Sequence, residues 1–116
     1  MRQLSFLVTI TPSIIMPFTK VATLSDLEPG KGKQVTVGTR KIALFYVDGK
    51  VFAIDDTCTH RGAPLNEGVC ANGEVTCPWH GAQFDLATGA NRSPPARTGV
   101  QAFPVQIIGD EVQVDV

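Results

Sequence analysis

The chain lacks any excess of one charge: ten Lys and Arg stand against eleven Asp and Glu, a formal net charge of −1. Nucleic acid and anionic membrane surfaces both recruit a basic excess, so neither is an expected partner. No apolar run approaches the ~20 residues that span a bilayer. No stretch keeps a helical period, no segment repeats, and none is of low complexity. Gly30-Lys31-Gly32 lacks the strand and helix context of a phosphate-binding loop. The three Cys are an odd number, which argues against a closed disulfide framework. Histidine is scarcer still, with two in 116 residues. Three Cys with two His suggest metal ligation instead, which fits a reducing cytoplasm.

The length suits one domain and leaves no room for a second. A domain of this size buries only about two thirds of its unfolded surface, so a bound cofactor would help its stability. Residues 1–16 read as an N-terminal extension, with residues 17–116 forming the domain. Met16 as the true start, a packed extra strand and a weak export signal are the readings open for that extension. Arg2 is its only n-region charge, and no small-x-small cleavage site follows.

What is present has the punctuation of β structure. Eleven Gly and eight Pro separate short apolar runs. Phe18 to Leu24 is a strand-length run with β-branched residues. A helical turn is predicted at Ser25 to Glu28, with Ser25 as N-cap. Gln34 to Gly38 places Val35 and Val37 on one face. Lys41 to Val47 and Val51 to Ile54 flank Asp48-Gly49, a strong hairpin signal. Phe103 to Ile108 and Glu111 to Val116 flank Gly109-Asp110, with Val112, Val114 and Val116 predicted on a buried face. Short strands at this spacing predict an all-β sandwich or small barrel. The middle, Asp55 to Ala96, is rich in Gly, Pro, Cys and Asn and poor in strand formers apart from Val75-Thr76 and Phe84. A loop region this long in a compact domain is functional or disordered. Asp55-Asp56 reads as caps or a solvated turn, with an acidic partner surface as the lesser option.

The chemistry lies in that middle. Cys58-Thr59-His60-Arg61-Gly62 is followed, with sixteen residues between His60 and Cys77, by Cys77-Pro78-Trp79-His80-Gly81. Both His and two of the three Cys fall in these pairs. Two loops, each ending a strand, can aim a Cys and a His at one site. Gly62, Gly68, Gly73 and Gly81 let backbone pass close to a bound group, and Pro64 and Pro78 stiffen the loops. Zinc also accepts two Cys and two His, although a finger of that kind usually groups both Cys before both His. Cys70 lies outside both pairs and reads as a structural or incidental thiol. Because both His are taken, no Ser-His-Asp set can be assembled.

The paired motifs Cys58-Thr59-His60-Arg61-Gly62 and Cys77-Pro78-Trp79-His80-Gly81 resemble the Rieske iron–sulfur signature. The likeness runs from about Met16 to Val116, including the start Leu24 to Gly30 and the Thr88-Gly89 turn. It implies an antiparallel β-sandwich with a small inserted cluster-binding subdomain, its loops at about residues 56–96. It implies a [2Fe-2S] cluster with Cys58 and Cys77 on the inner iron and His60 and His80 on the outer iron. It also implies a one-electron carrier, cytoplasmic and monomeric, between an NAD(P)H-dependent, flavin-containing ferredoxin reductase and a terminal oxygenase such as an aromatic-ring-hydroxylating dioxygenase. A small Rieske subunit of an NAD(P)H nitrite reductase and a zinc-binding structural module are the alternatives. A complete Rieske oxygenase is excluded, since its catalytic iron needs further His.

The resemblance also bears on the potential. Respiratory and photosynthetic members carry an extra Cys in each loop, joined as a disulfide; Ala63 and Trp79 stand there. They also carry a Ser and a Tyr that donate hydrogen bonds toward the cluster sulfurs, where this chain has Ala82 and Phe84. With those donors gone, the expected potential is at the low end of the Rieske range, on the order of −150 mV. Arg61, Trp79, Pro94 and Pro95 are candidates for the rim of a docking face. Packing beneath the loops is an equal reading for Trp79, and Pro94-Pro95 is expected in a third loop that covers the cluster.

Overall fold

The computed structural model describes residues 18–59, 62–79, 81–93 and 98–116. The expectations for residues 1–16 therefore lie outside the described residues. Among these, the elements are strands β1 (Phe18–Thr23), β2 (Gly32–Val37), β3 (Arg40–Val47), β4 (Lys50–Asp55), β5 (Val69–Ala71), β6 (Glu74–Thr76), β7 (Gln83–Asp85), β8 (Asn91–Ser93), β9 (Ala102–Phe103), β10 (Val105–Ile108) and β11 (Glu111–Asp115), with 3-10 turns at Leu24–Asp26 and Leu65–Glu67. They build three sheets whose paired strands are antiparallel, ordered β9-β4-β3-β2, β10-β11-β1 and β5-β6-β7-β8.

Strand β3 explains how the layers stack. Its run Ile42-Ala43-Leu44-Phe45 is wholly buried, whereas a strand with one wet face would alternate. Successive side chains leave on opposite faces. Ile42 and Leu44 join Val51, Ala53, Phe103, Val112 and Val114 in the core between the first two sheets. Ala43 and Phe45 face the other way, into a core shared with Cys58, Leu65, Val75, Cys77 and Phe84. The central sheet is thus covered on one side by the three-stranded sheet and on the other by the unit formed from the middle of the chain. The β3–β4 hairpin closes as its sequence predicts. Val47 faces Lys50, and Asp48 and Gly49 take φ of 53° and 76°, the left-handed pair that this tight turn demands.

Four expectations are corrected. Phe103 to Ile108 is not one strand: Ala102–Phe103 pairs with β4, Val105–Ile108 pairs with β11, and the break falls at Pro104. Proline has no N–H for a ladder, but its carbonyl accepts Asp115 N–H at 3.0 Å, so the chain changes sheets there. Val116 is exposed rather than buried, because β11 ends at Asp115. The early turn is capped from Thr23, not Ser25; the Asp26 carboxylate accepts Thr23 N–H at 3.0 Å. Finally, the middle is more regular than its composition suggests. Three-residue strands make a sheet of their own there, opened by Asn72-Gly73 with φ of 53° and 77°.

Candidate metal centre

Two loops of matching backbone stand at the edge of this small sheet. In the first, Cys58 N–H donates to Ala63 C=O at 2.9 Å and Gly62 N–H donates to Cys58 C=O at 2.8 Å. In the second, Cys77 N–H donates to Ala82 C=O at 2.7 Å and Gly81 N–H donates to Cys77 C=O at 3.2 Å. Each loop is therefore a closed ring that starts on Cys and returns through Gly to Ala. The return needs a left-handed residue, and Gly62 and Gly81 supply φ of 76° and 79°, where a side chain would cost about 1–2 kcal/mol. Ala63 and Ala82 point into the core with no exposure. A further bridge between Thr57 and Pro64 pins the base of the first ring.

The rings bring both thiols inward. Cys58 is 2% exposed and Cys77 is 3% exposed, within one apolar core beside Leu65 and Phe84. Thiolates in such surroundings are costly unless a metal or a cation compensates them. His60, Arg61, His80, Pro94 and Pro95 lie outside the described residues, and among the described residues no three His, Cys, Asp or Glu converge. The fit therefore rests on the donor chemistry: two buried sulfurs on twin rings, each ring carrying a His by sequence. Sulfur and imidazole donors in that number suit an iron–sulfur cluster or zinc.

The surroundings distinguish the other candidates. Trp79 is 56% exposed, so it does not pack beneath the loops. Thr59 donates its hydroxyl to Thr98 C=O at 2.7 Å, and Val100 N–H donates to Gly89 C=O at 2.8 Å. The segment after Pro94-Pro95 is thus fastened to the first ring and to the turn at Gly89. Cys70 is half-buried in β5, and burial pushes its thiol pKa up, as expected for a structural thiol. An open groove of about 370 Å³, lined by Lys31, Gly32, Asn66, Glu67, Val69 and Cys70, includes neither Cys58 nor Cys77.

Asp56 overturns its reading as a cap or solvated turn. It is 2% exposed. Its carboxylate accepts Asn66 N–H at 2.7 Å and the Gln34 side-chain amide. Asp55 beside it ends β4 and pairs with Arg40 at 3.6 Å on the surface. Sequence reasoning missed Asp56, Gln34 and Asn66 as a group, because nothing in the local pattern marks one Asp of the pair for burial. On the outer side of the small sheet, Asp85 accepts Arg92 Nη2 at 2.7 Å and the N–H groups of Ala87 and Thr88. The Arg92 hydrogen bond holds the Asp85 carboxyl below the usual carboxylate range; burial opposes it as the next-largest effect, and the Thr88 and Ala87 N–H groups add to the lowering.

Comparison with known proteins supports the ring geometry. The model of the Rieske [2Fe-2S] domain matches residues 18–104. The chain is 39% identical over 101 residues to the biphenyl dioxygenase ferredoxin subunit of Pseudomonas sp. (strain KKS102), covering 86% of this chain and 93% of that protein. The ferredoxin of carbazole 1,9a-dioxygenase from Nocardioides aromaticivorans IC177 superposes with a TM-score of 0.80 at 33% identity, covering 84% of this chain and 95% of that one. A chain from a complex of reduced oxygenase and oxidized ferredoxin in carbazole 1,9a-dioxygenase gives 0.79 at 35% identity, covering 86% and 94%. With both thiols buried on twin rings and a match of this extent, the chain belongs to the Rieske [2Fe-2S] domain family, whose cofactor is a two-iron, two-sulfur cluster held by two Cys and two His.

Proposed function

We propose that this chain is a one-electron carrier of a multicomponent oxygenase system, with Cys58, His60, Cys77 and His80 as the cluster ligands. The observation that carries the assignment is the twin-ring geometry, which buries Cys58 and Cys77 in one core, each ring carrying a His by sequence. When bound, the cluster supplies a centre that accepts and releases a single electron. The chain's own residues hold the sulfurs, exclude water behind them with Leu65 and Phe84, and present Trp79 to a partner. The donor is an NAD(P)H-dependent, flavin-containing ferredoxin reductase and the acceptor a terminal oxygenase. The identity to ferredoxin components, 39% and 33%, against 25% to the small subunit of a putative nitrite reductase, favours that pairing. The chain works as a carrier rather than a catalyst, because both of its His are committed to the cluster. We place it in the reducing cytoplasm; no helix among the described residues is long and apolar enough to cross a membrane.

Visible and EPR spectra of the purified, reconstituted protein test the reading. The expected result is a coloured protein whose reduced signal is that of a mixed Cys and His cluster, lost in Cys58→Ser and Cys77→Ser and altered in His60→Cys and His80→Cys. A colourless, zinc-loaded protein would sink it.

A further inference from the structure

Asp56 is the only buried charged side chain among the described residues. Three elements hold it. Its N–H donates to Lys41 C=O of β3 at 3.1 Å, and its C=O accepts Leu65 N–H of the 3-10 turn at 2.6 Å. One carboxylate oxygen accepts Asn66 N–H at 2.7 Å and the other accepts the Gln34 amide of β2. The Asn66 side chain, turned so that its nitrogen faces the carboxylate, lies 2.8 and 3.0 Å from the two oxygens. Every donor is a neutral amide, and both oxygens accept, which is the pattern that satisfies an ionised carboxylate. Among the described residues no Lys or Arg pairs with Asp56, whereas Asp55 next to it has Arg40. By the described residues, the negative charge is hydrogen-bonded but not neutralised.

Its position makes this consequential. Asp56 stands two residues before Cys58, and two residues of chain span at most about 7 Å. The centre in the ring becomes one unit more negative when it takes its electron. A fixed negative charge nearby, in a site that water does not screen, disfavours that gain. We propose that Asp56 is a positioning residue with a second duty: it ties the first ring to the sandwich, and its buried charge lowers the reduction potential of the cluster. This rests on the ligand reading above.

The test is a redox titration of the cluster-loaded protein, followed by visible circular dichroism or EPR. Asp56→Asn keeps the size and removes the charge; it is expected to raise the midpoint potential. Asp55→Asn, whose charge is only partly buried and already paired with Arg40, is expected to shift it less. A coloured Asp56→Asn protein with the wild-type potential, or with a shift no larger than that of Asp55→Asn, overturns the proposal. If Asp56→Asn does not load its cluster, Gln34→Lys reads the same charge without touching Asp56. It should raise the potential more than Thr19→Lys on the far sheet, and equal shifts in the two would refute the idea. A colourless wild type would instead defeat the ligand reading, so the two failures are told apart.

Discussion

Gly68 offers a sharp test of how tightly the second ring is built. It follows the Leu65–Glu67 turn with ordinary extended backbone, φ −77° and ψ 170°, so alanine meets no conformational penalty there. The obstacle is space. A Cβ at Gly68 would lie 2.3 Å from Thr76 C=O, 2.8 Å from Val75 Cγ2 and 3.1 Å from Leu65 C=O. Two of these neighbours are backbone, and Val75 and Leu65 are fully buried, so a rotamer change gives no relief. The Thr76 carbonyl would have to retreat by roughly 0.7 Å to reach 3.0 Å, the closest that real Cβ atoms come. Thr76 immediately precedes Cys77, so the movement passes directly to a proposed ligand. Overpacking of this kind costs about 1–3 kcal/mol, and the upper end applies here because the backbone must yield. In a domain of roughly a hundred residues about 3 kcal/mol lowers the melting temperature by more than 10 °C. Gly38→Ala is the control: φ is 63° with nothing within 4 Å, so it carries conformational strain alone, about 1–2 kcal/mol, in a hairpin outside the ring. Thermal melts of the loaded proteins, read by far-ultraviolet circular dichroism and by the cluster's visible bands, should place Gly68→Ala well below Gly38→Ala and alter its cluster spectrum. Equal melting points with an unchanged spectrum would refute the tight coupling of Gly68 to the Cys77 ring.

Three further outcomes follow from the geometry. The folded pKa of Asp85 is depressed, chiefly by Arg92, so its stabilising effect is present above the unfolded carboxyl value of 3.8 and is lost as pH falls through the lower folded value. Arg92→Ala should move the acid-unfolding midpoint to higher pH, and an unmoved midpoint would show the pair to be inert. Trp79→Ala should leave the folding stability within about 0.5 kcal/mol of wild type, as an exposed site allows, while weakening oxygenase binding about tenfold or more in a calorimetric titration. The midpoint potential should fall at the low end of the Rieske range, on the order of −150 mV, because the buried Ala82 and Phe84 offer no hydroxyl; a clearly positive value in a redox titration refutes this.

The features legible in the sequence were those with a local cause. Asp48-Gly49 marked its hairpin because a tight turn requires left-handed residues, and the alternation through Val112 and Val114 marked a half-buried strand. The paired Cys-His motifs stood out because metal ligation, the role proposed for them, restricts residue type and spacing together. What escaped notice depended on distant partners. Pro104 reads as an ordinary interruption until two sheets compete for its flanks. Asn72-Gly73 carried the same turn signal as Asp48-Gly49, but the strands it joins have three residues each, too short for alternation to emerge. Asp56 and Asp55 look alike in the sequence; only Gln34 and Asn66, from elsewhere in the chain, make one of them a buried anchor.

The position of β11 affects how the molecule comes into being. It is the final strand in chain order, yet it lies between β10 and β1 in its sheet. On the ribosome β1 must wait, with its mate unmade, until nearly all the chain has emerged. The pairs within the ring-bearing unit are close neighbours along the chain and can form long before that. An extension or tag fused after Val116 would therefore adjoin the keystone of the outer sheet rather than a dispensable edge.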